Sequence, residues 1–400
     1  MPPRMRPLDG VRVIDLATFI AAPLSATILG EFGAEVIKIE HPAGGDPMRR
    51  FGTASEDPDR SLAWLSEARN KHSATLDLRA AAGAAALREL VRRADVLCEN
   101  FRPGTLEGWG LGPDVLHALN PALVILRITG YGQTGPYRDR PGFARIAHAV
   151  GGLTHLAGMP DGPPVTPGST SLADYIGGFQ GAIGVMMALR VAEATGRGQV
   201  IDVALHEAIF RVLDDIAPAH DRYGIVRGRE GVMTRQVCPH GHFACSDGKW
   251  VAIACTSDKM WQRMALNVLG QPDLAESHPR TADRLADRAT IDGAVEAFTR
   301  RHPAAQVVEL CTAGGVPCGP INTIADIFAD PHFAARRTIE RIADPALGEI
   351  AVPAVLPRLS ATPGGIESLG PPLGDWNARL AELIADEAEI RPAARAAGQG

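Results

Sequence analysis

Short runs of β-branched and other apolar residues recur along the first half of the chain, each followed by a stretch that fits a helix. Residues 11–16 and 35–40 are two such runs. Between them, residues 23–30 open on Pro23 and close on Gly30, residue types favoured just inside a helix start and at its end. This is a compact β-α-β unit. The pattern repeats, with strands predicted at 74–78, 95–99 and 123–129 and helices at 80–93 and 113–119. Apolar strands alternating with helices predict an α/β domain built on a Rossmann-like parallel sheet with both faces covered.

Further on, the spacing predicts a helix over 143–157, a Gly/Pro-rich loop over 158–168, a long helix over 172–195, a strand over 199–204 and helix over 205–223. After Gly224 the texture changes. A polar linker at 227–235 leads to a hairpin over 242–255 that turns at Ser246-Asp247-Gly248. Helices over 259–269, 290–301 and 304–313 and a strand over 316–321 follow. The expected organisation is a large α/β domain at 1–224, a smaller α+β domain at 225–330, and a Pro/Gly-rich segment at 331–400, with a helix over 376–385, that returns to the large domain. There is no internal repeat.

A length of 400 residues agrees with two domains. A hydrophobic share of 46% and a charged share of 22% describe an ordinary globular chain. The net charge of −6 argues against nucleic acid as a partner, because binding a phosphate backbone needs a basic surface. Six cysteines without a C-x-x-C pair read as reduced thiols, so the expected compartment is the cytoplasm. The first ten residues hold no apolar signal-peptide core, and the apolar run at 176–189 is too short and glycine-rich to span a bilayer, so no membrane association is expected.

Several chemistries are excluded by their missing motifs. The first strand runs into Ala17-Thr18-Phe19-Ile20-Ala21-Ala22-Pro23, without the G-x-G-x-x-G that cradles a dinucleotide pyrophosphate. There is no P-loop, no G-x-S-x-G and no H-E-x-x-H. Cys238, His240, His242 and Cys245 lie close together, but their spacing matches no standard zinc site and reads better as a loop feeding a hairpin, so no metal is expected.

The informative segment is the one that delivers Asp174 to the first turn of the long helix. A helix start offers free N–H groups and the positive end of the dipole, which stabilise a carboxylate and any oxyanion beside it. Gly177, Gly181 and Gly184 follow at helical spacing and leave a bare stripe for a ligand or another backbone. The same residues also fit a purely structural role: Ser171-x-x-Asp174 is a variant capping box, and the stripe suits helix packing.

The chain as a whole resembles the class III CoA-transferases, the family of formyl-CoA transferase and carnitine CoA-transferase. The resemblance rests on motifs in order over about half the chain: Pro7-Leu8-Asp9-Gly10 with the strand after it, Gly33-Ala34-Glu35-Val36 through Gly44-Gly45-Asp46, Glu99-Asn100-Phe101-Arg102-Pro103-Gly104, Gly130-Tyr131-Gly132-Gln133-Thr134-Gly135-Pro136, and Thr195-Gly196-Arg197-Gly198-Gln199. It implies an interlocked homodimer, coenzyme A as a substrate with no permanently bound cofactor, and acyl-CoA and carboxylic acids as partners. By position in the motifs it implies Asp174 as the nucleophile and Ile20, Ala21, His41, Leu76, Arg79, Asn100, Phe101 and Arg102 as CoA contacts. The racemase branch of the family places a histidine where this chain reads Gly142-Phe143-Ala144, which argues against proton abstraction. The stretch comparable to the glycine-rich lid of formyl-CoA transferase, residues 229–239, holds only Gly231, which argues against formate and oxalate. The expected reaction is CoA transfer from a donor such as succinyl-CoA to a dicarboxylate or related acid, with Arg145, Arg235 and Gln236 as candidates for its distal carboxylate. An acyl-CoA racemase or epimerase, a CoA-binding subunit of a heteromeric transferase, and an acidic scaffold without a ligand are the alternatives.

Overall fold

In the computed structural model, which describes residues 6–168 and 170–393, six parallel strands form one sheet: β1 (Arg12–Asp15), β2 (Glu35–Glu40), β3 (Lys71–Thr75), β4 (Val96–Glu99), β5 (Val124–Thr129) and β6 (Val200–Ala204). Their order is β3-β2-β1-β4-β5-β6. The chain leaves β1 on one side through α1 (Ala21–Glu31) towards β2 and β3, and returns to its other side at β4. β1 and β4 therefore flank the point where the strand order reverses, and a crevice opens beyond their carboxyl ends. Helices α2 (Leu62–Glu67), α3 (Ala81–Val91), α4 (Thr105–Gly108), α5 (Pro113–Leu119), α6 (Ala144–Val150), α7 (Leu153–Leu156), α8 (Leu172–Thr195) and α9 (Leu205–Phe210) complete this half of the chain.

Alternation along each strand sorts the core into two layers. Val13, Val36, Val96, Val124 and Leu126 face α1 and α8, while Ile14, Ile37, Leu97 and Ile125 face α3, α5 and the helix Asn377–Ala385 near the end of the chain. Both sheet faces are buried, which is why the strands read as near-continuous apolar runs.

The chain divides into two compact units. One comprises residues 1–153, 168–218 and 335–400; the other comprises 154–167 and 219–334. The loop over 158–168, read from sequence as part of the large domain, thus groups mainly with the second unit. That unit has its own core, in which an antiparallel sheet of β7 (His240–Ala244), β8 (Trp250–Ala254) and β9 (Cys318–Pro320) packs on the helices Arg288–Thr299 and Ala304–Ala313. Gly248 takes φ +76° at the predicted hairpin turn. The final segment of the first unit runs beside β3: Trp64 Nε1 donates to Pro371 O at 2.9 Å, and Ser73 N donates to the Asp375 carboxylate at 3.1 Å.

The sequence reading misplaced several elements. β3 begins three residues before the predicted strand, because Lys71 looks too polar for a buried strand but carries an ion pair there. The helix predicted over 143–157 breaks at Gly151-Gly152, where Gly152 takes φ +95°, and the one over 205–223 breaks before Ile216, near Asp214 at φ +50°. The antiparallel pair β10 (Ile339–Asp344) and β11 (Gly348–Pro353) was not anticipated. Ser169, in the segment leading to α8, lies outside the described residues.

The glycine stripe of α8 serves packing. A Cβ on Gly177 would meet Leu205 Cδ2 at 2.7 Å and one on Gly181 would meet Ser25 Oγ at 2.5 Å; the neighbouring Gly178 is as closely packed, since a Cβ there would meet the backbone oxygen of Ala21 at 2.7 Å. Ser25 Oγ donates to Gly178 O at 2.7 Å, which the close approach of α1 permits. Gly178→Ala is expected to cost about 1–3 kcal/mol by overpacking, seen as a lower midpoint in thermal or urea unfolding.

Candidate active site

The loop that leaves β1 is held from below by buried charge. Asp15, Lys38, Glu40, Asp46, Arg49 and Lys71 all lie inside the fold. The Asp15 carboxylate pairs with Lys71 Nζ at 2.8 Å and with Lys38 Nζ at 3.5 Å, and Lys38 pairs with Asp46 at 3.0 Å. Arg49 grips Glu40 through two bonds of 2.7 and 2.6 Å. Burial opposes ionisation of Asp15, but Lys38 and Lys71 outweigh it and hold the carboxyl below its ordinary range.

These groups position the loop backbone. Ala17 N donates to Asp15 at 3.0 Å, Lys38 Nζ donates to Ala17 O, and Phe19 N donates to Asp46 at 3.1 Å. Phe19 takes φ +62°, a left-handed conformation that is costly for a bulky residue and persists only when its surroundings impose it. Across the crevice, Thr18 N donates to Asn100 Oδ1 at 2.9 Å and Asn100 Nδ2 donates back to Thr18 O at 2.7 Å. The loops after β1 and β4 are thereby tied together. Glu99 accepts from Phe101 N at 2.6 Å and sets the start of the second loop.

Two cavities of about 200 Å³ each open on this platform and share Thr18 and Phe101 as walls. The first holds His41, Leu76, Arg79 and Phe101; His41 Nε2 lies 3.8 Å from the Asp77 carboxylate, and Phe101 meets Trp109 edge to face. Apolar and aromatic walls with a cation at the rim suit a nucleotide base and its phosphates. The second holds Ile20, Ala21, Asn100, Phe101, Arg102 and Asp174. The candidate nucleophile and the eight candidate CoA contacts, though drawn from segments scattered over more than 150 positions, thus each line one of two adjoining cavities.

Asp174 lies in the first turn of α8, yet the capping-box reading does not hold. Ser171 at the N-cap makes no side-chain capping bond. Among the described residues, no hydrogen bond to the Asp174 carboxylate is found, and burial without a compensating partner pushes its pKa up to about 7. A carboxylate left free of donors and aimed into a cavity is a competent nucleophile once ionised.

Two further cations line the second cavity, Arg138 and Arg140, the latter stacked 3.6 Å over the Tyr137 ring. They were missed because they sit in a loop without periodicity; their place just after the Gly130–Pro136 motif was the available signal. The residues suggested for a distal carboxylate are Arg145, Arg235 and Gln236. Arg145 is exposed on α6 and is not a wall of either cavity, while Arg235, paired with Glu230 at 2.6 Å, and Gln236 belong to the second unit. Phe143 lines the second cavity, and no histidine is among its described walls.

A raised carboxyl pKa makes the folded state hold its proton longer than the unfolded chain does, so the Asp174 contribution to stability is present at low pH and is lost as pH rises from about 4 to about 7. Asp174→Asn removes that loss. Its thermal midpoint is expected to match the wild type near pH 4 and to exceed it at pH 8, as read by calorimetry.

The comparisons agree with this geometry. The model of CoA-transferase family III matches residues 8–377. The chain is 56% identical to the beta subunit of succinyl-CoA–L-malate CoA-transferase from Chloroflexus aurantiacus over 94% of both chains, and 53% identical to the alpha subunit over 96% of this chain and 90% of that one. It is 43% identical to succinyl-CoA–D-citramalate CoA-transferase of the same organism, over 95% of this chain and 94% of that one. A crystal structure of a CaiB/BaiF family protein from Brucella suis superposes with a TM-score of 0.83 at 34% identity, covering 95% of this chain and 99% of that one. With a parallel sheet and a bipartite cavity of this kind, the chain belongs to CoA-transferase family III and is an enzyme that moves coenzyme A from an acyl-CoA donor to a carboxylic acid.

Proposed function

We propose that the enzyme takes CoA from succinyl-CoA and gives it to a short hydroxylated dicarboxylate of the malate and citramalate type, with Asp174 as the covalent nucleophile. The observation that carries this reading is the Asp174 carboxylate, free of described donors and set in a cavity that adjoins a nucleotide-sized slot. The adenosine part of CoA fits the first cavity beside His41, Leu76 and Arg79, and the pantetheine arm passes Thr18 and Phe101 to the second. Arg102, Arg138 and Arg140 complement the phosphates and the free carboxylate of a diacid. The identities to malate- and citramalate-using relatives support the acceptor class.

The steps balance without an external energy source. An Asp174 oxygen attacks the thioester carbonyl, CoA leaves as thiolate, and a mixed anhydride forms. The thiolate then attacks the aspartyl carbonyl and releases the donor acid, which leaves an aspartyl-CoA thioester. The acceptor carboxylate attacks that thioester and expels the thiolate, which finally attacks the acceptor carbonyl of the new anhydride to give the product thioester and free Asp174. Each intermediate keeps the acyl group activated, so no ATP is consumed.

The exposed apolar face of α8 supports an interlocked homodimer. Phe179, Ile183, Met187 and Val191 recur every four residues and are 52%, 55%, 66% and 45% exposed, a stripe that a second chain would cover. A second reading rests on the similarity to both the alpha and beta subunits of one transferase, in which this chain works beside a homologous partner. All six cysteines are free thiols, which supports a cytoplasmic setting.

Two experiments test these readings. Mixing the enzyme with succinyl-CoA and hydroxylamine should leave a hydroxamate on Asp174, found by peptide mass spectrometry, and Asp174→Ala should lose transfer by at least about 1,000-fold with its fold intact; transfer at the wild-type rate would remove the nucleophile. The chain purified alone should sediment as a dimer and turn over succinyl-CoA with L-malate, whereas an inactive chain rescued by a homologous subunit would favour the heteromer.

A further inference from the structure

The first turn of α8 exposes N–H groups that ordinarily recruit the nearest acid. An Asp three residues after the N-cap usually reaches back to the backbone N–H of the N-cap residue, here Ser171. Asp174 holds that position and does not do so. Its own N–H and that of Tyr175 both donate to Ser171 O, at 2.9 and 3.2 Å. The N–H of Ala173 is taken by His148 Nε2 on α6, at 2.9 Å.

The imidazole of His148 is well suited to that task. The residue is 1% exposed. A backbone N–H can only donate, so Nε2 presents its lone pair and the ring proton sits on Nδ1. Burial, and then the Arg145 cation on the same helix, hold the imidazole below its ordinary range and keep it neutral. Asp174 and Tyr175 are the titratable groups next to the bonded amide on α8. Nδ1 finds no partner among the described residues, a cost that the fold accepts for the sake of the other nitrogen.

We propose that His148 is a positioning residue: by accepting the Ala173 N–H, it ties the first turn of α8 to α6 and holds the Asp174 carboxylate, on the next residue, at the cavity. The inference rests on the reading of Asp174 as nucleophile. If the acceptor is removed, the first turn of α8 loses that tie, the Ala173 N–H is left without its partner, and the carboxylate is no longer held in line with the thioester.

The test compares His148→Leu with His148→Gln in the full chain, using succinyl-CoA and L-malate. Leucine removes the acceptor, while glutamine supplies Oε1 in its place. His148→Leu should lose kcat by about 10-fold or more with KM for succinyl-CoA within about threefold; His148→Gln should recover most of the rate. A wild-type kcat in His148→Leu, or equal impairment in both variants, would overturn the proposal. Should His148→Leu not fold, His148→Met takes its place: a slow methionine variant beside a fast glutamine variant supports the proposal, and equal rates overturn it. Wild-type transfer by Asp174→Ala would instead strike the nucleophile itself, so the two failures are distinguishable.

Discussion

The ion cluster beneath β1, in which Asp15 meets Lys38 and Lys71 while Lys38 also meets Asp46, is the interaction on which the rest of this site depends. Removing four charges from water is expensive, and the cost is offset only when each charge has a close partner and further hydrogen bonds. Here those further bonds run to the backbone of the loop after β1, at Ala17 and Phe19. The cluster therefore does more than neutralise itself. It forces Phe19 into a left-handed conformation and shapes the floor shared by two cavities, where a glycine-rich turn would serve in a dinucleotide-binding domain.

The chain uses burial of carboxylates in two opposite ways. Asp15 is fully buried, yet two lysines keep it ionised and inert as a structural anchor. Asp174 is only half-buried, yet it lacks donors and its pKa rises towards neutrality. What separates the two is the set of partners each side chain is allowed. On α8 the packing of α1 and the hydrogen bond from Ala173 to His148 set the surroundings of the first turn, the one by admitting only glycine at 178 and 181, the other by tying the turn to α6.

The parallel sheet was legible because buried strands and their covering helices differ in period and length. The helix Leu172–Thr195 and the strand Glu35–Glu40 match their predicted limits for that reason. β3 was misplaced because a buried lysine breaks the apolar pattern that marks a strand, and β10 and β11 were missed because glycines, prolines and arginines surround them. The residues lining the two cavities were legible only through family motifs: nothing in their local spacing distinguishes Arg102 from an ordinary surface arginine. Arg138 and Arg140 escaped, since a loop has no period to read.

By itself, the sequence determined the α/β architecture, the absence of a dinucleotide cradle and the choice of Asp174 as the residue to watch, because each is encoded in neighbours a few positions apart. Only the tertiary structure decided whether that aspartate caps its helix or faces a cavity. His148, which accepts the Ala173 amide, lies 25 positions before it in the chain, and no local pattern records a hydrogen bond made between two packed helices. The same holds for the glycine stripe, whose spacing suits a ligand or a packed backbone alike and which the fold closes by packing.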